Sequence, residues 1–458
     1  MSAGNVMRLP ALPVQTGSVI HVGISKGQLL TGGLTVFPTN TNNNHHSRRA
    51  FLKATLATAG GLAIANWGAL FNSETIAQEA RRSNKRCILL WANGGASQID
   101  TFDMKPGRPT GGPFRPIQTN VNGIQICEYM PLLARHVDKL AMIRSMRTQS
   151  PDHPDGIYHM HTCYKQSERM PHPEIGAMIA KYLGNPDSDL PSFIRMGSTG
   201  NAGSGYLGPR YEPFHLGSDG RLPYFSAPLV TPAVQDRRSE LLDFMEQERA
   251  SRSGAEAFES HRLAEQRALR LMRTRQVFNI DSEWQRAQER YGSTSFGRCC
   301  FMARKLIENG VPFVEVGQEN YDSHADNFVC HKANMDVLDP AWSGLLTDLA
   351  ERNLLANTLV VWMGEVGRTP YINNRAGRDH FIRAWTIVLA GGGVRGGQVY
   401  GATDRDGREV ANDPVSEGDL FATIYTALGI NPRVRHFVGA RPIWATPEGA
   451  RALRPLLA

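Results

Sequence analysis

Four loops of this 458-residue chain carry carboxylate and imidazole side chains, and each loop follows a predicted strand. They comprise residues 93–103, 319–331, 364–370 and 377–380. Carboxylate combined with imidazole is a ligand set that suits Zn²⁺, Mn²⁺ or iron and suits Ca²⁺ or Mg²⁺ alone poorly. Two such ions about 4 Å apart would clamp the attacking and leaving oxygens of an ester displacement. The loops therefore predict a shared polar site that holds a divalent metal.

Each loop also has a structural alternative. Asp100 could cap a helix, and Asp103 could be a turn residue. Glu365, at the end of a strand, could pair with Arg368. Residues 379–380 could form a surface turn. Both interpretations stay open at the level of sequence.

The elements that must position these loops alternate between strand and helix patterns. Strands are predicted at 87–92, 140–143, 311–316, 358–363 and 385–390, and helices at 261–278, 282–290, 296–309, 335–352 and 419–428. Apolar runs separated by helices indicate a mainly parallel sheet covered on both faces, a three-layer α/β/α fold. Functional residues of such sheets lie beyond the carboxyl ends of strands. Residues 185–255, rich in Gly, Pro and Ser, are predicted to elaborate the region near the site.

Composition narrows the class of protein. Apolar residues make up 41% of the chain and charged residues 20%, which is typical of a soluble globular protein. Of the formal charge of +7, residues 1–77 contribute +4, and the remaining +3 is too small and scattered for nucleic-acid binding. The six cysteines form no C-x-x-C pair, so a zinc ribbon is excluded, and we interpret Cys299 and Cys300 as core residues.

The amino-terminal region indicates export. The string SRRAFLK at 47–53 precedes 18 uncharged residues at 54–71, and small residues at 75 and 77 suit a cleavage site. We predict a disordered start and a twin-arginine leader over 1–80, a folded domain over 81–458, and a periplasmic or other extracytoplasmic location. The twin-arginine translocase would be a partner during export. The alternatives are an amphipathic helix with a basic start and a retained single-span anchor.

Long motifs in the rest of the chain resemble one exported bacterial family. They are GGASQIDTFDMKPG at 94–107, ERYGSTSFGRCCFMARKLIENGVPFVEV at 289–316, NTLVVWMGEVGRTPYIN at 357–373, GRDHF at 377–381, LAGGGVRGGQVYGATDRDG at 389–407 and DLFATIYTALGI at 419–430. On these motifs the chain is identified as a member of the family named domain of unknown function fifteen-oh-one. Twin-arginine leaders are common in that family. The resemblance covers the chain from about residue 84 to its end.

The family is in turn similar to the alkaline phosphatase and sulfatase superfamily, and residues 339–365 carry that resemblance. It implies an alkaline phosphatase-like fold and a metal site. The metal ligands implied by the resemblance are Asp100, Asp322, His324, Glu365 and His380. The sequence departs from the superfamily pattern at one point, because Glu365 replaces an aspartate and Val366 stands where the pattern has a histidine.

The superfamily's nucleophile, at the start of a helix, has no clear equivalent here. The corresponding loop is 144–155, in which Thr148 and Ser150 are candidate nucleophiles and His153 is a candidate ligand or phosphate contact. A hydroxyl nucleophile needs a metal or a base to lower its pKa. The alternative is that Thr148 and Ser150 are turn or cap residues.

Two arginines complete the predicted site. Arg368 and Arg378 are candidates for binding an oxyanion such as phosphate or sulfate, because a guanidinium matches it with two parallel hydrogen bonds. The alternative is pairing with Glu365 and Asp379.

Two functions from different classes follow. The first is an exported metal-dependent hydrolase of sulfate or phosphate esters, acting on a small molecule or a polysaccharide. The second is a binding or assembly protein for sulfated polysaccharide or the cell envelope, on a scaffold that has lost its chemistry. The missing histidine and the ambiguous nucleophile motivate the second hypothesis.

Overall fold

The computed structural model describes residues 77–458 apart from seven gaps, which are single positions at 79, 82, 168, 198, 201 and 272 and most of 223–269. Within the last segment, positions 234, 237, 238, 240 and 241 are described. The predicted leader up to residue 76 lies outside the described residues, as does most of the helix predicted at 261–278. Among the described residues, no helix is both long enough and apolar enough to cross a membrane.

The centre of the fold is an eight-stranded sheet. Its strands, in chain order, are β1 (Arg86–Ala92), β2 (Leu140–Met146), β3 (Phe193–Met196), β4 (Phe214–Leu216), β5 (Phe313–Gln318), β6 (Thr358–Met363), β7 (Trp385–Gly391) and β8 (Gln398–Tyr400). Their spatial order is β8-β2-β7-β6-β1-β5-β3-β4. Only β7 runs antiparallel to its neighbours β2 and β6, and the other pairs are parallel. The predicted mainly parallel sheet is confirmed.

Helices cover both faces of the sheet. They are α1 (His153–Thr162), α2 (Ile175–Leu183), α3 (Asp281–Tyr291), α4 (Ser295–Glu308), α5 (Asn327–Glu351) and α6 (Glu417–Ala427). Side chains of β1 alternate between the two faces: Ile88 and Leu90 pack in a core with α4 and α5, whereas Leu89 and Trp91 pack in a core with α2 and α6. The predicted three-layer α/β/α fold is therefore confirmed.

Smaller elements decorate this framework. Two-stranded ribbons pair Pro116–Gln118 with Gln125–Cys127, Gly367–Arg368 with His380–Phe381, Ala402–Thr403 with Val410–Asn412, and Arg435–Val438 with Arg441–Trp444. Short 3-10 helices lie at Leu133–Lys139, Gly205–Leu207, Pro209–Tyr211, Arg275–Phe278, Leu355–Asn357 and Arg454–Leu456.

The structure differs from the predicted elements in two respects. Helix α5 begins at Asn327, eight residues before its predicted start, and it continues through Pro340. The segment 185–255, predicted to be an elaboration, contributes β3 and β4 to one edge of the sheet. These strands have four and three residues, too few to show a period in the sequence.

Cys299 and Cys300 are buried core residues, as predicted.

A buried network of charges ties α1 and α2 to the sheet. Glu315 of β5 accepts hydrogen bonds from Arg195 of β3 at 3.0 Å and contacts Nε2 of His161 of α1 at 2.8 Å. Arg195 also pairs with Glu174, the residue that caps α2. Burial alone would raise the pKa of Glu315, but Arg195 and His161 lower it to about 2. Burial alone would lower the pKa of His161, but Glu315 raises it.

The network predicts how stability depends on pH. Because the pKa of Glu315 is lower in the folded chain than its ordinary value near 4.5, its stabilisation is complete above about pH 4.5 and is lost as the pH falls toward 2. Glu315→Gln should lower the free energy of unfolding by roughly 3–5 kcal/mol at pH 7, since it leaves Arg195 incompletely paired in the core. The difference should shrink below pH 4.5 in urea titrations. Glu289→Gln, at an exposed position of α3, is the matched control and should have little effect.

Candidate metal centre

The loops singled out in the sequence meet at one edge of the sheet because of the strand directions. Strands β1, β2, β5 and β6 are mutually parallel, so their carboxyl ends lie at the same edge. Strand β7 is antiparallel, so its amino end lies there too. Asp322 and His324 follow β5, Glu365 follows β6, His153 follows β2, and His380 precedes β7. The topology therefore delivers candidate ligands from opposite ends of the chain to a single place.

Asp322 lies at the centre of this group. Its Oδ1 is 3.1 Å from Nε2 of His324 and 3.4 Å from Nε2 of His380, and its Oδ2 is 3.3 Å from Nε2 of His153. The Nε2 atoms of His324 and His380 are 3.2 Å apart. Three imidazole nitrogens and one carboxylate thus converge on a small volume. Ligand atoms of His153, Asp322 and His380 all lie within 4.8 Å of one another.

The other nitrogen of each histidine is held by an oxygen. Nδ1 of His153 is 2.7 Å from Oε1 of Glu365, and Nδ1 of His324 is 2.7 Å from Oδ1 of Asp379. Nδ1 of His380 is 2.8 Å from the carbonyl oxygen of Pro151. Carboxylate and carbonyl oxygens only accept, so each Nδ1 carries a proton and donates it. This is the arrangement of metal-ligating histidines, whose other ring nitrogen donates to a carboxylate or a carbonyl.

The hydrogen bonds on Nδ1 determine what faces the centre. A neutral imidazole that donates from Nδ1 presents a lone pair at Nε2. In that neutral form the three lone pairs face the Asp322 carboxylate, as the ligands of a cation would. Bonds of about 2.0–2.1 Å from zinc to nitrogen or oxygen place the corners of a tetrahedron about 3.3–3.4 Å apart. The three Nε2 atoms lie 3.1–3.4 Å from the Asp322 carboxylate, near that spacing, with His324 and His380 facing Oδ1 and His153 facing Oδ2.

Glu365 lies behind His153 and is fully buried. Its Oε1 accepts hydrogen bonds from Nδ1 of His153 and from the backbone N–H of Gly94, at 2.8 Å. The hydrogen bond to Glu365 raises the pKa of His153, whereas partial burial opposes that rise. Predicted as a direct ligand, Glu365 contacts the His153 ring at Nδ1, while the other ring nitrogen faces Asp322. Its Oε2 is buried and has no hydrogen-bond partner among the described residues.

Arg368 positions Asp322. Its Nη2 is 2.8 Å from Oδ1 of Asp322, and its remaining contacts are to the backbone carbonyls of Gly94, Gly95 and Arg378. Partial burial would raise the pKa of Asp322, but the charge and hydrogen bond of Arg368 hold it below its ordinary value. The guanidinium of Arg368, predicted to bind an oxyanion, is fully buried against these partners.

Arg378 and Asp100 form a buried ion pair outside the cluster. Arg378 contacts both carboxylate oxygens of Asp100, at 2.8 and 3.1 Å, and its other N–H groups donate to the carbonyls of Thr110, Thr369 and Pro370. All five N–H groups of Arg378, the other candidate for oxyanion binding, are thereby used within the protein. Arg368 and Arg378 pair with Asp322 and Asp100, whereas the alternative prediction had named Glu365 and Asp379.

Asp100 is not brought to the other predicted ligands. Its carboxylate accepts hydrogen bonds from Ser97 at 2.6 Å, from Asn327 at 2.8 Å and from Arg378. These contacts use Asp100 to join the loop after β1 to the start of α5. His331, in the second predicted loop, is likewise structural, since its Nε2 accepts from the N–H of Ser97 and burial lowers its pKa to about 4.

Thr148 and Ser150 lie beside the cluster but are buried. Thr148 Oγ1 accepts the N–H of Ser150 at 3.3 Å, which is the contact of a turn residue. Ser150 Oγ is 3.0 Å from Nδ1 of His159, and Oε1 of Glu417 is 3.4 Å from that same nitrogen. In a serine–histidine–acid relay the serine and the acid contact opposite nitrogens of the ring. The Ser150 group therefore does not form such a relay.

Two glycines allow the loop of Asp322 and His324 to pack closely. A Cβ on Gly94 would lie 2.4 Å from the backbone nitrogen of Asp322, and Gly94 has a φ of +104°. A Cβ on Gly377 would lie 2.0 Å from the carbonyl oxygen of His324. Larger residues would push the ligand loop away from the sheet edge. The GG pair after β1 and the GRDH motif are thus required by packing as well as by chemistry.

Sequence reasoning left one contributor to the centre undecided and missed two. His153 was a candidate ligand or phosphate contact, and its Nε2 faces Asp322 as a ligand would. Asp379 was considered only as a surface or pairing residue, and it holds His324. The carbonyl oxygen of Pro151 accepts a hydrogen bond from His380, and a contact to a backbone carbonyl leaves no pattern of side chains in the sequence. The available signal for His153 was its place just after β2, at the start of a helix.

The fold and the site together define a class: a three-layer α/β/α domain with a histidine–carboxylate cluster at the carboxyl edge of its sheet. The chain belongs to the family described as Protein of unknown function (DUF1501), whose model matches residues 84–457. The predicted family is thereby confirmed. No curated protein sequence matches the chain.

Three solved structures illustrate what this fold is similar to. A sulfatase from Pseudoalteromonas sp. is 11% identical, with 78% of this chain and 72% of that chain covered and a TM-score of 0.35. A protein in the alkaline phosphatase superfamily from Vibrio parahaemolyticus is 9% identical (78% and 75% covered, TM-score 0.37). A phosphonate monoester hydrolase from Silicibacter pomeroyi is 11% identical (81% and 76% covered, TM-score 0.37). Identities and TM-scores this low transfer no activity to this chain.

The close packing of Gly94 on Asp322 gives a test of the centre. Gly94→Ala should destabilise the chain and disrupt metal binding, because the new Cβ collides with the ligand loop and is strained at positive φ. Gly107→Ala is the matched control, since Gly107 has a φ of +73° with open space around it and should cost only the backbone strain of about 1–2 kcal/mol. Thermal unfolding and metal titration should separate the two variants, and equal losses would contradict the packing argument.

Proposed function

We propose that this chain is a metal-dependent hydrolase of sulfate or phosphate esters. The site would hold a divalent transition metal, with zinc, manganese and iron as the candidates. Its ligands would be His153, Asp322, His324 and His380. Exported by the predicted twin-arginine leader, the protein would act outside the cytoplasm on a small-molecule or polysaccharide ester.

One observation carries this proposal: three histidines donate from Nδ1 to oxygens and turn Nε2 toward one carboxylate. Histidine ligands in metalloenzymes are fixed in this way, which sets their tautomer and ring orientation. The donor set of three imidazoles and one carboxylate suits zinc, manganese or iron. A divalent metal in a site of this kind supplies Lewis acidity toward a bound ester oxygen and lowers the pKa of a bound water.

The surroundings of the centre support an anionic substrate. His153 is the first residue of α1, so the amino end of that helix lies at the site. Helix α5 begins at Asn327, directly after the loop of Asp322 and His324. The partial positive charge and free N–H groups of helix amino ends favour bound anions. Since Arg368 and Arg378 are engaged within the protein, these helix ends and the metal would be the main attraction for a sulfate or phosphate group.

Removal of the ligands tests the proposal directly. Purified protein should bind about one equivalent of transition metal and release sulfate or phosphate from aryl esters, and chelation should abolish the release. Asp322→Ala and His380→Ala should each lower metal affinity by more than tenfold, because each removes a ligand from the cluster. Metal content by mass spectrometry and ester turnover are the measurements.

His215→Ala is the matched control for the histidine variants. His215 lies exposed on β4, away from the cluster, and its removal should change neither metal content nor turnover. Unchanged metal binding in Asp322→Ala would reject the site, and metal binding without turnover across the ester panel would reject the hydrolase.

Glu365 is expected to support metal binding indirectly, by orienting His153. Because it orients His153 without facing the centre, Glu365→Gln should lower metal affinity by roughly 10–100-fold and leave binding measurable. Isothermal titration with Zn²⁺ gives the affinity, and Glu289→Gln on the surface of α3 should match the unaltered chain. Complete loss of binding in a folded Glu365→Gln variant would instead make Glu365 a direct ligand.

A second candidate function rests on a different observation. Both candidate hydroxyls, Thr148 and Ser150, are buried, and both candidate oxyanion arginines are engaged in the protein. These features favour a binding or assembly protein for sulfated polysaccharide or the cell envelope, with the metal in a structural role. Tight polysaccharide binding without turnover would favour this candidate, and measurable turnover would remove it.

A further inference from the structure

The ribbon of Arg435–Val438 and Arg441–Trp444 is a surface hairpin that the metal centre does not use. We propose that this hairpin binds an anionic lipid surface, with its apolar turn at the acyl boundary and its arginines at the phosphates. This attachment is independent of the proposed hydrolase activity.

One side of the hairpin fastens it to the body of the protein. His436 and Ile443 pair across the ribbon and are buried. Nε2 of His436 is 3.2 Å from the hydroxyl of Tyr182, and the carbonyl of Trp444 accepts a hydrogen bond from Tyr164 at 2.8 Å. The base of the hairpin is therefore fixed, and its turn is presented from a rigid support.

The turn itself is apolar and exposed. Phe437 is 48% exposed and Val438 is 38% exposed. They are followed by Gly439 and Ala440, so residues 437–440 offer no polar side chain. A polysaccharide would present hydroxyl groups that these side chains have no means to hydrogen-bond. An apolar turn of this kind is suited to the boundary between lipid head groups and acyl chains.

The charge beside the turn has one sign. Residues 420–447 contain Arg433, Arg435 and Arg441 and no aspartate or glutamate. Among the described residues, none of these three arginines forms an ion pair; Arg435 stacks over the ring of Trp444 at 4.2 Å. Burial and the nearby charge of Lys181 lower the pKa of His436 to about 3, so His436 adds no positive charge to that of the arginines near neutral pH. Such clusters are attracted to anionic lipids.

The spacing along the hairpin fits the layers of a membrane interface. Arg441 pairs directly with Val438, next to the turn. Phe437 lies two residues beyond Arg435, about 7 Å along an extended strand. Arginine side chains that contact phosphates would therefore place Phe437 about 5–10 Å into the interface, the depth typical of surface-bound segments. Phosphatidylglycerol or another anionic phospholipid meets these requirements.

Hydrogen exchange of the full chain tests the proposal at the hairpin itself, so a lipid contact of the amino-terminal region does not interfere. On vesicles of 30% phosphatidylglycerol in phosphatidylcholine, amides at 437–441 should exchange at least fivefold more slowly than in buffer. Phosphatidylcholine vesicles should give no protection, and salt should weaken the effect. Equal protection by both vesicles, or none by either, would overturn the proposal.

Variants separate the two parts of the surface. Phe437→Ser with Val438→Ser should abolish the protection, as should Arg433→Glu, Arg435→Glu and Arg441→Glu together. The matched controls are Val329→Ser, at a 70% exposed position of α5, and Arg286→Glu, at an exposed position of α3, and both should keep it. Unchanged exchange of the sheet amides verifies folding. Protection that appears without vesicles and rises with protein concentration would assign the hairpin to a second copy and overturn the lipid proposal.

Discussion

The arrangement of the centre depends on one constraint: three histidines must each place a proton on Nδ1. Glu365, Asp379 and the carbonyl of Pro151 impose that choice, because each offers only an acceptor. Neutral rings held in this way have lone pairs to present, and all three face Asp322. The result is a local concentration of electron pairs beside one carboxylate, which suits a cation. The hydrogen bonds around the histidines therefore favour a metal site as much as the histidines themselves do.

Two buried arginines, Arg368 and Arg378, stabilise the loops against the repulsion between these electron pairs. A buried guanidinium costs desolvation free energy, and the cost is offset only when every donor finds an acceptor. Arg378 meets this condition through Asp100 and three carbonyls, and it fastens the loop that carries Asp379 and His380. Arg368 does the same for Asp322. Both are therefore parts of the framework, which is why a guanidinium that looks suited to an oxyanion in sequence is unable to serve one here.

Much of the fold was predictable because it follows from apolar periodicity. The central strands β1, β6 and β7 and the helices α3, α4 and α6 lie close to their predicted bounds. The short edge strands β3 and β4 were not predictable, since three or four residues show no period. Asp322, His324 and His380 were predicted as one group because they stand at strand ends, and their side chains lie together. The placing of Asp100 was not predictable, since a carboxylate after a strand suits a metal and an arginine equally well. Contacts between loops that are distant in sequence determine that Asp100 pairs with Arg378.

The wide spread of the four donors along the chain has a consequence for how the centre assembles. The cluster draws on His153, Asp322, His324 and His380, so most of the chain must be in place before four donors meet. Closing such long loops is unfavourable in the unfolded chain, and a metal would therefore bind the native state almost alone. Metal loading would then report that the chain has been made and folded at least as far as His380: a chain that ends before this residue could begin its sheet and still lack one of the four donors.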